Sequence, residues 1–133
     1  MAKFTRSQNF GMVLMSEPPS IQVLFGDRFK RQLRTLAKRY RQIQTDLQPL
    51  LQQLQAGECP GDRISGTGYT VFKVRAKNSD ISKGKSGGYR IIYQVTSTTC
   101  FILLIIYAKS DQETVTLEEI NDIIDRFRNE QQS

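Results

Sequence analysis

Between Asp62 and Arg90 the chain carries seven basic residues against two acidic ones. The positive set is Arg63, Lys73, Arg75, Lys77, Lys83, Lys85 and Arg90. Lys73 and Arg75 are two positions apart, so in a strand they share a face. Arg90 opens the next run of strand-forming residues. Cations held on a sheet suit a polyanion backbone, and an arginine fork grips phosphate through two parallel N–H groups. The chain has no histidine, which excludes a His-pair ribonuclease, a Ser-His or Cys-His hydrolase and a His-ligated metal site. Its acidic residues are not grouped on the strands, so neither a metal nor a cofactor is expected. Any chemistry here must use Lys, Arg, Tyr, Ser, Thr or backbone groups.

The chain as a whole has the same bias. Its 133 residues suffice for one domain with a real core. A net charge of +6 and a pI near 9.5 favour nucleic acid or another acidic partner. Cys59 and Cys100 have neither metal spacing nor a disulfide framework, and read as reduced thiols of a cytoplasmic protein. The longest apolar run, Phe101 to Ala108, reads as a buried strand and not a membrane span. Met1 to Ser20 lacks the apolar core of a signal peptide and is expected to be a flexible extension. The domain is placed at residues 21–128, with 129–133 as a tail.

The elements that must carry the basic face are legible in outline. Ile21 to Phe25 reads as a strand, and Asp27 as the N-cap of a helix. Phe29, Leu33, Leu36, Tyr40, Ile43, Leu47, Leu50 and Leu54 form one apolar stripe, predicting a helical hairpin on a sheet, with a coiled-coil seam as the alternative. Because proline fits only near a helix start, Pro49 puts the beginning of the second helix at about Ile43 to Thr45. Gly57 ends it. The opposite face of the first helix carries Arg28, Lys30, Arg31, Arg34, Lys38, Arg39 and Arg41, read as a solvated face, with auxiliary RNA contact as the alternative. A short strand is expected near Arg63-Ile64. Tyr69 to Ala76 alternates, with Phe72, Val74 and Ala76 facing the core. Tyr89 to Val95 and Phe101 to Ala108 are strands around a polar turn, the second apolar on both faces and therefore central. Thr116-Leu117-Glu118-Glu119 is a capping box, stapled by Val115 and Ile120. The last helix is expected to bury Leu117, Ile120, Ile124 and Phe127. The fold class is α+β, a helical hairpin and a C-terminal helix packed on a mainly antiparallel sheet.

Gly68-Tyr69-Thr70-Val71-Phe72-Lys73-Val74-Arg75, Lys83-Gly84-Lys85-Ser86-Gly87-Gly88-Tyr89-Arg90-Ile91-Ile92-Tyr93 and Ile106-Tyr107-Ala108-Lys109-Ser110-Asp111 resemble the HigB-type branch of the RelE/ParE toxin superfamily. The resemblance covers roughly Ile21 to Phe127. It implies a type II toxin–antitoxin toxin that cuts messenger RNA on the ribosome without metal. It also implies a cognate antitoxin, a helix-turn-helix protein encoded beside the chain. Lys73 and Arg75 stand where RelE has two strand lysines. Arg90 matches the arginine that starts the next strand, and Lys109 the basic residue after the last one. RelE continues with an arginine where this chain has Ser110. RelE also carries a late functional tyrosine; no tyrosine follows Tyr107 here, which makes Tyr107 the candidate replacement.

Internal cleavage of RNA requires a proton to leave the 2′-hydroxyl, charge to be stabilised on the phosphorane and a proton to reach the 5′-oxygen. Arg90 suits the charge role, and Lys73 and Arg75 add field. Lys73 or Lys109 serves as base where neighbouring cations favour its neutral form. Lys77, Lys83 and Lys85 are candidate RNA contacts. The bland alternative is phosphate binding without proton transfer. Gly84-Lys85-Ser86 mimics a Walker A end, but Ser79 replaces the required glycine and a strand follows where a helix is needed. Tyr89 and Tyr93 read as core, with base stacking the minority reading. Two rival functions remain: a ParE-like inhibitor of DNA gyrase, and a catalytically degenerate RNA-binding relative.

Overall fold

The computed structural model of the chain describes residues 20–81, 88–111 and 114–132. The expected extension falls almost wholly outside them, as do Lys83 and Lys85. The elements run β1 (Gln22–Phe25), α1 (Asp27–Arg39), α2 (Ile43–Gln55), β2 (Asp62–Arg63), β3 (Val71–Ala76), β4 (Tyr89–Ser97), β5 (Cys100–Ala108) and α3 (Leu117–Gln132). The five strands form one sheet in the order β1-β5-β4-β3-β2, parallel at β1–β5 and antiparallel elsewhere. The α+β class is therefore as expected. Among the described residues no helix is long and apolar enough to cross a membrane.

The long apolar stripe folds as a hairpin of helices. Phe29, Leu36, Tyr40, Ile43, Leu47, Leu50 and Leu54 are buried with Tyr89, Ile91, Tyr93, Phe101, Leu103 and Ile106, and Leu33 packs half-buried against them. Each such aliphatic side chain contributes roughly 1.5–3 kcal/mol by leaving water. The hairpin turns at Tyr40–Gln42, and Pro49 sits within α2. Gly57, at φ +85°, closes α2: its N–H donates to the Leu54 carbonyl and that of Glu58 to Gln53, a Schellman ending.

The opposite sheet face packs on α3 through Val71, Ile92, Ile102, Leu104, Ile105, Tyr107, Ile120, Ile123 and Ile124. Strand β5 is thus covered on both faces, as its sequence requires. Its two sides do not alternate strictly. Ile92 pairs with Ile105 but Tyr93 pairs with Leu103, leaving Leu104 as the extra residue of a bulge. Where β1 stops, the Gln32 side chain of α1 takes over, its Oε1 accepting the Ile106 N–H at 3.1 Å.

Three local expectations are corrected. Asp27 is the first helical residue, and Gly26 is the N-cap, without a side-chain cap. The Gly26 N–H is already committed to the Leu103 carbonyl at 2.9 Å, so the chain is still tied to the sheet at that residue. Leu117 is 43% exposed, while Ile123 is buried beside Ile124; α3 meets the sheet with a face centred one turn later than its first apolar residue. Val71 is fully buried although it lies on the β3 face assigned to solvent, because α3 covers that end. The capping box is present: Thr116 Oγ1 accepts the Glu119 N–H at 3.1 Å and Glu119 Oε1 accepts the Thr116 N–H at 3.2 Å.

Candidate nucleic-acid interface

Register decides what the basic residues do together. Arg75 on β3 lies opposite Arg90 on β4, and Arg90 lies opposite Tyr107 on β5. Directly opposed residues of antiparallel strands share a face, so the three form a row across the sheet. Lys73 is on the same face one step along, opposite Ile92. This face packs on α3, and Tyr107 is itself part of that packing. The Leu104 bulge is what brings Tyr107 here; strict alternation from the Tyr93–Leu103 pair would place Ile106 opposite Arg90.

Two like charges set against each other are unfavourable in a sheet. Arg90 is 9% exposed and Arg75 exposed, so one member of the pair is nearly covered and the other meets solvent. Arg90 Nη1 donates to the Tyr89 carbonyl at 3.4 Å. Tyr107 is buried. Lys73 and Lys109 are half-buried, and Lys77 is exposed just past the end of β3.

The frame around the row is built by glycine and by carboxylates. Gly88 has φ +90°, and a Cβ there would stand 2.7 Å from the Ala76 carbonyl oxygen. Its own carbonyl accepts the Lys109 N–H at 2.9 Å, which ties the residue after β5 to the entry of β4. The turn after β5 is held to α1 by Asp111, whose carboxylate is 3.0 Å from Arg39 Nη1. The hydrogen bond from Arg39 to Asp111, with their attraction, raises the guanidinium pKa. Arg39 also donates to the Tyr40 hydroxyl at 2.7 Å. The Tyr40 ring meets that of Tyr89 edge-on, so the network runs from the β5 turn to the residue before Arg90. The root of the β3–β4 connection is fixed to the hairpin: Asp46 accepts the Ser79 N–H at 2.8 Å and Asp80 accepts the Gln42 N–H at 2.9 Å.

No protein-family model matches this chain, and no curated protein matches it in sequence. The chemistry therefore rests on the residues themselves. The structure brings Lys73, Arg75, Arg90 and Tyr107 onto one face with Lys109 at its margin. Arg75 presents an exposed guanidinium fork beside the nearly covered Arg90, Lys73 and Lys109 present two ammonium groups, and the Tyr107 hydroxyl is buried beneath them.

Tyr89 and Tyr93 are outside this chemistry. Both are fully buried on the hairpin face. Tyr93 stacks on Phe72 and donates to the Pro60 carbonyl at 2.5 Å. Burial foremost pushes both phenols above their usual range, with Asp46 and Asp80 adding to the effect at Tyr89. On the basic face of α1, Arg28 pairs with Glu119 and Arg39 with Asp111, a clamping role that the sequence pattern did not single out. The signal was the acidic content of residues 111–119, opposite in sign to α1.

Proposed function

We propose that the chain is the toxin of a type II toxin–antitoxin module, a metal-independent endoribonuclease acting in the cytoplasm on messenger RNA in the ribosome. The observation that carries this reading is the Arg75–Arg90–Tyr107 row. Opposed arginines cost stability, and a dianionic phosphorane is the species that repays that cost. In the proposed reaction Lys73 or Lys109 removes the 2′-hydroxyl proton, and the 2′-oxygen attacks phosphorus. Arg90 holds the charge that builds on the equatorial oxygens, with Arg75 adding to the field. The 5′-oxygen leaves with a proton from whichever of the Lys73 and Lys109 ammonium groups is not the base; the Tyr107 hydroxyl is buried and supports the row from beneath. Lys77 extends the phosphate contacts. The partner that silences the toxin is an acidic or amphipathic antitoxin, a helix-turn-helix protein encoded beside it, which neutralises the basic face and blocks RNA at once.

The test is purified protein with programmed ribosomes and, in parallel, with DNA gyrase. Defined cuts in ribosome-bound message, lost in Arg90→Ala by about a hundredfold or more as for a missing transition-state donor, support the reading. Arg90→Lys should also be impaired, because a point charge does not reproduce the fork. Inhibited supercoiling with intact message would favour the gyrase alternative. Binding without cutting would favour the degenerate relative, which Ser110 also suggests.

A further inference from the structure

At the far end of the face that carries Arg90 lies a groove of about 630 Å³, lined among others by Leu24, Tyr69, Gln94, Thr96, Phe127 and Arg128. Gln94 follows Arg90 by four residues on β4, so the two side chains share a face about 13 Å apart. Gln94 is only 7% exposed, flanked across the sheet by Val71 and Ile102. Among the described residues its side-chain amide has no hydrogen-bond partner. Its amide is not sealed in the wall but opens on the groove, so a donor and an acceptor stand together on an otherwise apolar stretch of the sheet, ready to exchange water for a ligand.

The aromatic side of the groove is fixed in advance. The Tyr69 hydroxyl accepts from Arg128 Nη1 at 3.0 Å and donates to Asp125 at 3.2 Å. Arg128 also sits 5.9 Å from the centre of that ring. Phe127 contributes a second, half-buried ring.

We propose that this groove binds a nucleobase of single-stranded RNA, with Gln94 reading the edge of the base and Tyr69 and Phe127 bounding its faces. An amide that offers a donor and an acceptor together matches the paired donor and acceptor on a base edge, and aromatic walls match its π-face. Arg128 supplies a charge for the adjoining phosphate. The route from the reactive row runs along β3, where Arg75 and Lys73 share a face, to Tyr69, two residues before the strand begins. A peptide would leave the run of cations on that route without a purpose. The inference deepens the proposed function and rests on its RNA substrate.

The experiment is fluorescence anisotropy of the full chain with a labelled RNA hexamer and with the same sugar–phosphate chain made abasic. The base-bearing RNA should bind about tenfold tighter or more. Gln94→Met keeps volume and fold, and should remove most of that preference while leaving the salt dependence of binding unchanged. Tyr69→Leu should do the same. Equal affinity of the wild type for the two RNAs overturns the proposal, as does a folded Gln94→Met that keeps the full preference. If the wild type cuts ribosome-bound message yet ignores the bases, the groove assignment alone fails. If it neither cuts message nor binds RNA, the proposed function fails and the groove assignment with it.

Discussion

Arg75→Gln should make the protein more stable and less active. Arg75 faces Arg90 directly across the β3–β4 ladder, where opposed side chains start about 4.5–5.5 Å apart at Cβ and like charges cost roughly 0.2–1 kcal/mol. Arg75 is exposed and Arg90 is covered, so solvent screens one end of the repulsion and about 0.5 kcal/mol is the reasonable figure. For a domain of this size that is a rise in Tm of about 2 °C. The gain should shrink in 1 M salt, where the Debye length is about 3 Å. Activity should move the other way, falling about tenfold with the loss of a charge-assisted phosphate contact near 1.5 kcal/mol. Thermal melts at low and high salt, run beside message cleavage on programmed ribosomes, read both effects on one preparation. A variant that melts below the wild type and cuts normally would refute the reasoning, because the arginine would then be a structural residue.

Three further outcomes are expected. Gly88→Ala should lose about 1–3 kcal/mol of stability in urea unfolding, since its φ is +90° and the new Cβ would press on the Ala76 carbonyl. Ile124→Ala, at a fully buried site between α3 and the sheet, should cost about 2–5 kcal/mol by the same assay. Glu119 has a folded pKa below its ordinary 4.5, chiefly through the Thr116 N–H that it accepts, with Arg28 adding to the effect. A lowered carboxylate stabilises above its unfolded value and loses that contribution as pH falls through the folded one. The stability advantage of wild type over Glu119→Gln should therefore be flat from neutral pH down to about 4.5 and disappear below it.

The sequence revealed the parts of this fold that are local and periodic. One stripe from Phe29 to Leu54 was enough for two helices, because burial against the sheet repeats with the helical turn. The Thr116–Glu119 box was legible because its bonds join residues three apart. The face shared by Lys73 and Arg75 followed from strand geometry alone. The row itself was not legible. The β3–β4 connection is too long to set a register, so nothing local tells Arg75 that it will meet Arg90. The bulge at Leu104 then reverses the parity of β5, so that strict alternation along the strand from Phe101 would send Tyr107 to the hairpin side. Leu117 and Ile123 exchanged roles because both lie near the apolar arc of α3, and only the docking angle chooses between them. Asp27 looked like a cap because its type favours that position, whereas the Gly26–Leu103 bond had already fixed where the helix begins.

The parallel pairing of β1 with β5 joins Gln22 to Cys100 and Phe25 to Leu103, so the first strand made waits for the last. During synthesis the helical hairpin can gather its local contacts early, but β1 has no neighbour in the sheet until β5 has been made. The Arg75–Arg90–Tyr107 row also needs β5, and so it is complete only when the fifth strand joins the sheet. A pairing this distant in the chain folds slowly compared with local helix formation. For a protein that we propose attacks the machine that makes it, this order of assembly acts as a timer: the proposed site is incomplete until β5 has paired, and the proposed partner has that interval in which to arrive.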